Sequence, residues 1–363
     1  MTRIACINGF LGAGKTTLIL RAAEDLTKRG LRTAIITNDQ GRFLVDTARV
    51  RDSGFPVEEI PGGCFCCRFP EFLGRAEAMV EEHRPDIILA EAVGSCTDLV
   101  STVYRRLRHS SFSLAPLSVL VEPDRIREFT RPATPFSEEV KYLFGRQLAE
   151  ADLILMNKSD LLESGEIGGL TETIRSFAGE TSISLMNAKA GSGVIPWVDQ
   201  LLSEEPRGRE CEVDYERYAA AEASLGWLNA TVDMVSSRGF SANEIGDALV
   251  GEIQRFCLGA RLGIAHLKLM FLTSDGCDSI ALANSGGAGM WGKARRLPGS
   301  TEASLIVNAR VSARPEELRR IVEDSLRRVC CEHGVEYAVQ QCECFSPPPP
   351  ERDPSVAASR SAT

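Results

Sequence analysis

Apolar residues are distributed in two different ways along this chain. Up to residue 203, short apolar runs alternate with longer segments in which apolar residues recur every three or four positions. That alternation predicts βα units, and therefore an α/β domain with a parallel sheet and helices on both faces. The predicted strands lie at 3–8, 33–37, 86–90, 117–121, 153–156 and 182–186, and the predicted helices at 16–28, 71–82, 98–108 and 138–149.

The pattern changes beyond this first domain, which we place at residues 1–203. Residues 204–223 are charged and lose periodicity, which predicts a linker. Residues 224–345 carry long strand-like runs and two helical segments, typical of a small α+β domain with a mostly antiparallel sheet. Residues 346–363 contain four consecutive prolines at 347–350 and predict a disordered tail. The second domain's predicted strands are 225–235, 265–273, 279–283, 304–311 and 335–345, and its helices are 242–258 and 315–332.

The composition limits the class of protein. A chain of 363 residues is too long for one compact core and favours two domains. The net charge of -9 argues against nucleic-acid and anionic-membrane partners, because both select basic patches. There is no apolar run of about 18 residues, as a membrane span needs, and no signal-peptide pattern. We therefore expect a cytoplasmic protein.

A glycine-rich loop follows the first predicted strand and opens the first predicted helix. Residues 9–17 match the P-loop pattern GxxxxGK(S/T), in the strand-before and helix-after context of that motif. Backbone N–H groups of such a loop bind phosphates. Lys15 is expected to reach the β- and γ-phosphates, and the Thr16 hydroxyl to ligate Mg²⁺. The candidate binding residues are Gly9, Gly12, Ala13, Gly14, Lys15, Thr16 and Thr17.

A second motif predicts which base is bound. Asn157, Lys158 and Asp160 form an NKxD sequence at the end of a later apolar strand. The Asp160 carboxylate accepts both N1–H and N2–H₂ of guanine, whereas adenine would present an acceptor to it. Asn157 is expected to bond the base and its own loop, and the Lys158 stem to cover the ring. With the P-loop upstream, the motif predicts GTP. Residues 187–191 resemble a second base-binding loop.

Three of the 12 cysteines, Cys64, Cys66 and Cys67, lie in one short loop. In a reducing compartment such a cluster indicates metal binding before it indicates a disulfide. Thiolates select Zn²⁺, Cu(I) or similar ions, and three ligands leave a fourth position open for a site that releases its metal. The other interpretation is three buried thiols without a metal.

The order of these motifs resembles the CobW-type GTPases, relatives of HypB and UreG. The P-loop is followed by Asn-Asp-Gln-Gly at 38–41, the cysteine loop, Glu91 with Gly94 three residues on, and the NKxD motif. The resemblance covers about the first two hundred residues. It implies a GTP-hydrolysing metallochaperone or metal-linked activator that delivers a thiolate-bound ion, zinc or cobalt, to a client metalloprotein. Whether the protein forms a homodimer is left open.

The resemblance also implies roles for single residues. Cys64, Cys66 and Cys67 would hold the cargo metal, and residues 38–41 would form the first switch. Glu91 would stand near the Mg²⁺ and act with Lys15 and Thr16 in catalysis, while the Gly94 N–H would sense the γ-phosphate. The chain departs from the family at 95–98, which read Ser-Cys-Thr-Asp, and it lacks a histidine-rich stretch. The sequence leaves undecided whether other cysteines also bind metal, namely Cys96 and the group Cys330, Cys331, Cys342 and Cys344.

Two other functions remain as hypotheses. One is a regulatory GTPase in which a permanently held zinc stabilises the cysteine loop, and which chelators cannot strip without unfolding. The other is an ATP-using transferase or kinase that uses the P-loop for its chemistry. The NKxD motif argues against the latter.

Overall fold

Two sheets organise the part of the chain that the structure, a computed structural model, describes: residues 1–39, 50, 53–163, 165–292 and 297–350. The first sheet is entirely parallel, in the order β3-β2-β4-β1-β6-β7-β8 with the short β5 beside β1. Its strands are β1 (Arg3–Gly9), β2 (Thr33–Asp39), β3 (Val57–Pro61), β4 (Ile87–Glu91), β5 (Ser113–Leu114), β6 (Ser118–Val121), β7 (Leu153–Met156) and β8 (Ser182–Leu185).

Helices cover both faces of this sheet. Successive residues of β1 show why: Ile4 and Cys6 belong to one buried cluster, whereas Ala5 and Ile7 belong to another on the opposite face. A parallel strand buried on both sides reads as a continuous apolar run. The helices are α1 (Lys15–Lys28), α2 (Phe69–His83), α3 (Arg105–Leu107, continuing a π-helical turn at Val100–Tyr104), α4 (Pro123–Thr130), α5 (Glu138–Ala149), α6 (Ile167–Ala178) and α7 (Val194–Ser203).

The second sheet is antiparallel, in the order β12-β11-β10-β13-β9-β14. Two helices pack on one of its faces and enclose a separate core. The predicted fold class, a P-loop α/β domain followed by a small α+β domain, is confirmed. Its elements are α8 (Tyr215–Ala223), β9 (Gly226–Phe240), α9 (Ala242–Gly259), β10 (Ile264–Thr273), β11 (Gly276–Leu282), β12 (Met290–Trp291), β13 (Ser300–Val311), α10 (Pro315–His333) and β14 (Glu336–Phe345).

Half of the segment predicted as a linker is helical. Helix α8 is capped by the Asp214 side chain, which accepts from the Glu216 and Arg217 amides. Its Tyr218 and Ala221 are buried in the core of the first domain. Because charged residues fill the outer face, the short apolar stripe is hard to see in the sequence. The predicted tail lies outside the described residues from 351 onward. None of the helices within the described ranges is long and apolar enough to cross a membrane.

Candidate functional site

The P-loop joins β1 to α1 at the carboxyl edge of the parallel sheet. Gly9 and Gly14 have φ angles of 137° and 96°, a region that side chains disfavour. A Cβ at Gly9 would overlap the Leu120 backbone, and one at Gly14 would overlap the Asn157 amide. Lys15 is buried at the first turn of α1, and its Nζ donates to the Gly9 carbonyl at 2.8 Å. The loop backbone therefore lies against its neighbours with no room for side chains at these glycines.

A hydroxyl and a carboxylate meet beside this loop. Thr16 Oγ1 donates to Glu91 Oε1 at 3.0 Å, and both residues are buried. Glu91 ends β4, which pairs with β1 so that Ile7 faces Glu91. Oxygen donors of this kind fit Mg²⁺, which prefers a carboxylate or hydroxyl together with substrate phosphates. Gly94 also adjoins the P-loop, since a Cβ there would lie 2.9 Å from the Leu11 nitrogen.

The base-reading motif is tied to the P-loop and to the second base loop. Asn157 Nδ2 donates to the Ala13 carbonyl at 2.8 Å, and Asn157 Oδ1 accepts from the Ala188 amide at 2.9 Å. Asn187 Nδ2 donates to Asp160 Oδ1 at 2.8 Å, so residues 187–191 stand beside the NKxD motif. The geometry holds Asp160 at the edge of the pocket, where its carboxylate can accept from a base.

Lys158 has a left-handed backbone conformation, which residues other than glycine rarely adopt. Its φ is 57°, and its Nζ lies 2.6 Å from Glu122 Oε2, at the end of β6. The Glu122 side chain is buried. The left-handed backbone conformation and the pairing with a buried carboxylate place the Lys158 stem along one wall of the pocket. Sequence reasoning missed Glu122, which directly follows a strand of the sheet.

All these groups surround one cavity of about 600 Å³, a size that suits a nucleotide. Gly9 and Ala13 are exceptions: they do not line the cavity, and their carbonyls bond Lys15 and Asn157 instead. Among the predicted residues, the lining comprises Gly12, Gly14, Lys15, Thr16, Thr17, Asn38, Glu91, Gly94, Asn157, Lys158, Asp160, Asn187, Ala188, Lys189 and Ala190.

The cysteine loop lies between β3 and α2. The Sγ atoms of Cys64, Cys66 and Cys67 lie within 4.8 Å of one another, with Cys64 and Cys67 3.2 Å apart and Cys66 and Cys67 3.9 Å apart. Hydrogen bonds with Cys66, and then Cys67 and Cys96, lower the pKa of Cys64 well below its usual value. Because the thiolate is the metal-binding form, this arrangement suits a thiophilic cation.

Asn38 connects the cysteine loop to the cavity. Its side chain lines the cavity, and its Nδ2 donates to the Ile60 carbonyl at 2.8 Å and to the Gly63 carbonyl at 2.5 Å. Gly63 immediately precedes Cys64. Of the predicted first switch, the Asp39 side chain and residues 40 and 41 lie outside the described residues.

Comparison with known proteins identifies the family to which this chain belongs. The family model described as CobW/HypB/UreG, nucleotide-binding domain, matches residues 3–184, half of the chain. The chain belongs to this family. The predicted relationship to CobW-type P-loop GTPases is thereby confirmed.

Several known proteins resemble this CobW-family chain. The zinc chaperone YeiR of Escherichia coli is 35% identical over 173 residues, 44% of this chain and 47% of that protein. The zinc chaperone CobW of Pseudomonas aeruginosa is 27% identical over 225 residues, 53% of this chain and 57% of that protein. The matched part thus spans about half the length of these relatives. The solved Zn(II)-bound YjiA GTPase from E. coli is 14% identical, with a TM-score of 0.37 over 89% of this chain and 98% of that one.

The second domain of this CobW-family chain lines the same cavity, which sequence reasoning missed. Its sheet presents polar residues toward the pocket from the face opposite to α9 and α10. The available signal was a polar residue at every second position within apolar strands, as at His266 and Lys268 in β10 and at Asn308 and Arg310 in β13. The second-domain lining comprises Trp227, His266, Lys268, Ser279, Ala281, Ala283, Asn284, Gly287, Ala288, Met290, Trp291, Gly292, Asn308 and Arg310.

Arg125 in α4 connects the two domains. Its Nη2 donates to the carbonyls of Ile264 at 3.3 Å, Ala265 at 2.9 Å and Ala283, all in the second domain. Its Nη1 pairs with Glu128 at 2.6 Å, and the arginine is only 1% exposed. A buried guanidinium with this many acceptors fixes the second sheet over the P-loop.

Replacing Arg125 with methionine should lower the free energy of unfolding by about 3–5 kcal/mol, because buried carbonyls and Glu128 lose their donor. The measurement is urea unfolding of the variant. The matched control is Arg127→Met, whose partners Asp124 and Glu166 are partly exposed; its loss should stay near 1 kcal/mol or less. Equal losses in the two variants would contradict the connecting role.

The segment after Gly94 is fixed by a buried acid. Glu150 Oε1 accepts from Thr97 Oγ1 at 3.2 Å, and Oε2 accepts from the Val100 amide at 3.3 Å. Burial raises the pKa of Glu150 from 4.5 to about 8. Ionising Glu150 in the folded chain therefore costs free energy. The cost is absent below pH 4.5, grows between pH 4.5 and 8 as only the unfolded chain ionises, and is complete above pH 8.

Glu150→Gln should therefore stabilise the protein at pH 8.5, by up to about 4 kcal/mol, and leave stability nearly unchanged at about pH 4.5. The amide reproduces the protonated acid, since its oxygen accepts from the Val100 amide and its N–H₂ group can donate to Thr97 Oγ1 once the threonine hydroxyl rotates to accept. Urea unfolding at the two pH values measures the difference. An equal gain in the free energy of unfolding at both pH values would contradict the raised pKa. The control is Glu172→Gln at an exposed position, which should show little change at either pH.

Proposed function

We propose that this chain binds and hydrolyses GTP with Mg²⁺ and carries a zinc ion on Cys64, Cys66 and Cys67 to a client metalloprotein. The observation that carries the proposal is the position of Asn38, which lines the nucleotide cavity and bonds the backbone beside Cys64. A change at the nucleotide can thus reach the metal ligands through one side chain. The relatives' names, zinc chaperone, favour zinc over cobalt as cargo.

Each step of GTP binding has residues suited to it. The N-terminus of α1 and Lys15 provide positive charge for the phosphates. Thr16 and Glu91 would hold Mg²⁺, which neutralises charge on the β- and γ-phosphate oxygens when bound. Asp160 selects guanine because both its oxygens can accept from the base. Lys15, Thr16 and Glu91 are buried, so their electrostatic effect on a bound phosphate is larger than it would be on an exposed surface.

Nucleotide state would control the metal by ordering two segments. The γ-phosphate is expected to contact Gly94, which adjoins Leu11 of the P-loop, and to act on the chain around Asn38. Asn38 bonds the Gly63 carbonyl beside Cys64, and Gly94 lies two residues before Cys96. Hydrolysis then relaxes them, lowers zinc affinity and hands the ion to the client. We expect slow intrinsic GTP hydrolysis, because the sequence shows no evident arginine finger and only Gln40 as a candidate for orienting the attacking water. A client would have to supply the missing arginine.

Timed zinc release tests this function. Zinc-loaded protein is mixed with a colorimetric chelator in the presence of GTP, GDP or a non-hydrolysable GTP analogue. We expect faster release during GTP hydrolysis than with the analogue, and Lys15→Ala should abolish the difference. If zinc leaves only when the protein unfolds, the regulatory GTPase with a structural zinc is the correct function instead.

Nucleotide competition distinguishes the proposal from an ATP-using transferase. A fluorescent guanine nucleotide bound to the protein should be displaced by GTP at a concentration at least about a hundredfold lower than by ATP, since adenine leaves Asp160 facing an acceptor. Equal displacement by the two nucleotides would overturn the GTPase assignment.

A further inference from the structure

A fourth thiol adjoins the sulfur cluster from a different part of the chain. Cys96 follows β4, two residues after Gly94, and is fully buried. Its Sγ lies 3.8 Å from the Sγ of Cys66. The loop of Cys64, Cys66 and Cys67 is about thirty residues earlier in the sequence, so the fold alone brings these four sulfurs together.

Two of the sulfur–sulfur separations match those around one thiophilic ion. A tetrahedral zinc site with Zn–S bonds near 2.3 Å has sulfur–sulfur edges of about 3.8 Å. The pairs Cys66–Cys67 at 3.9 Å and Cys66–Cys96 at 3.8 Å already match that edge, while Cys64–Cys67 at 3.2 Å is shorter. Cys96 is outside the trio whose sulfurs all lie within 4.8 Å of one another. Binding one ion through all four therefore requires Cys96 to move toward the other three.

The backbone of Cys96 is bonded to the nucleotide site. Its carbonyl accepts from Asn8 Nδ2 at 3.1 Å and from Gln147 Nε2 at 2.9 Å. Gln147 Nε2 also donates to the Gly94 carbonyl at 2.9 Å, and Asn8 immediately precedes the P-loop. Movement of Gly94 toward a γ-phosphate would thus shift Cys96 relative to Cys66.

We propose that Cys96 is a fourth sulfur ligand of the carried zinc, and that it links the metal to the segment that senses the γ-phosphate. This inference rests on the proposed function, since it assumes that zinc is bound at the cysteine loop. It adds a ligand that lies outside that loop and closes the fourth coordination position. Zinc leaves when Cys96 withdraws and reopens that position to a client's ligand.

X-ray absorption of the zinc-loaded protein with a GTP analogue tests this inference. We expect four sulfur neighbours in the native chain and three in Cys96→Ser, with one lighter atom in place of the fourth. Cobalt substitution gives a second readout: the thiolate-to-metal absorption should fall by about a quarter in Cys96→Ser, because one of four sulfurs is lost. Cys257→Ser, a buried change in the second domain, should leave both values unchanged.

The outcomes separate this inference from the function on which it rests. Three sulfurs in the native chain, with full zinc loading, would overturn the role of Cys96 and leave the cargo site intact. No zinc bound by the native chain would overturn both. The native sulfur number decides the question even if Cys96→Ser does not fold. Where it folds, Cys96→Ser should also narrow the difference in zinc affinity between the GTP-analogue and GDP forms.

Discussion

Asp160→Asn should weaken GTP binding by about a hundredfold or more and make xanthosine triphosphate the better ligand. We expect the carboxylate to form two charge-assisted hydrogen bonds with guanine, each contributing about 1.5–3 kcal/mol. An asparagine offers only one acceptor and presents an N–H₂ group to the base, which suits the C2 carbonyl of xanthine. Isothermal titration of the variant with the two nucleotides measures both changes.

The matched control is Glu163→Gln, which removes a nearby exposed charge that does not line the cavity. It should leave the GTP affinity within about twofold of that of the unsubstituted protein, because solvent and salt screen a charge that is exposed and lies outside the cavity. If Asp160→Asn loses GTP without gaining xanthosine triphosphate, Asp160 does not select guanine through paired hydrogen bonds to the base. Its contact with Asn187 would then explain the loss as a change in loop structure.

Serine at Cys64, Cys66 and Cys67 together should lower zinc affinity by about a thousandfold or more. A neutral hydroxyl replaces each thiolate, and thiolates supply most of the binding free energy of a zinc–sulfur site. GTP affinity should change little, because none of the three lines the cavity. Competition with a fluorescent zinc chelator measures the first quantity, and nucleotide titration measures the second.

A control variant removes the same number of thiols elsewhere. Cys331, Cys342 and Cys344 are in α10 and β14 of the second domain, where no group meeting the same sulfur criterion occurs among the described residues. Serine at these positions should leave zinc affinity unchanged. Unchanged zinc affinity in the loop variant, or an equal loss in the control, would contradict the assignment of the cargo site.

Much of the nucleotide site could be predicted because its signals are local. The P-loop spans nine consecutive residues, and the NKxD motif needs only the strand before it. Thr16 and Glu91 were expected near one Mg²⁺, and the structure brings them within hydrogen-bond distance. Strand β3, by contrast, escaped prediction because Val57–Pro61 contains two glutamates and only half-buried side chains at most positions.

The remainder depends on contacts between distant parts of the chain. Arg125 bonds carbonyls about 140 residues away, and nothing in its own neighbourhood indicates that contact. The sequence leaves open whether Cys96 is a ligand, because its contact with Cys66 joins residues 30 positions apart. The second-domain lining has only a weak period-two signal, because a polar strand face predicts exposure to water as readily as a ligand cavity.

The central claim is that the terminal phosphate of GTP controls the metal affinity of the cysteine loop. It is tested most directly by measuring the zinc dissociation constant of one protein preparation with a non-hydrolysable GTP analogue and with GDP, both with Mg²⁺. We predict tighter zinc binding with the analogue, by at least about tenfold, as expected for a coupling free energy near 1.4 kcal/mol or more. Equal dissociation constants in the two nucleotide states would contradict the claim.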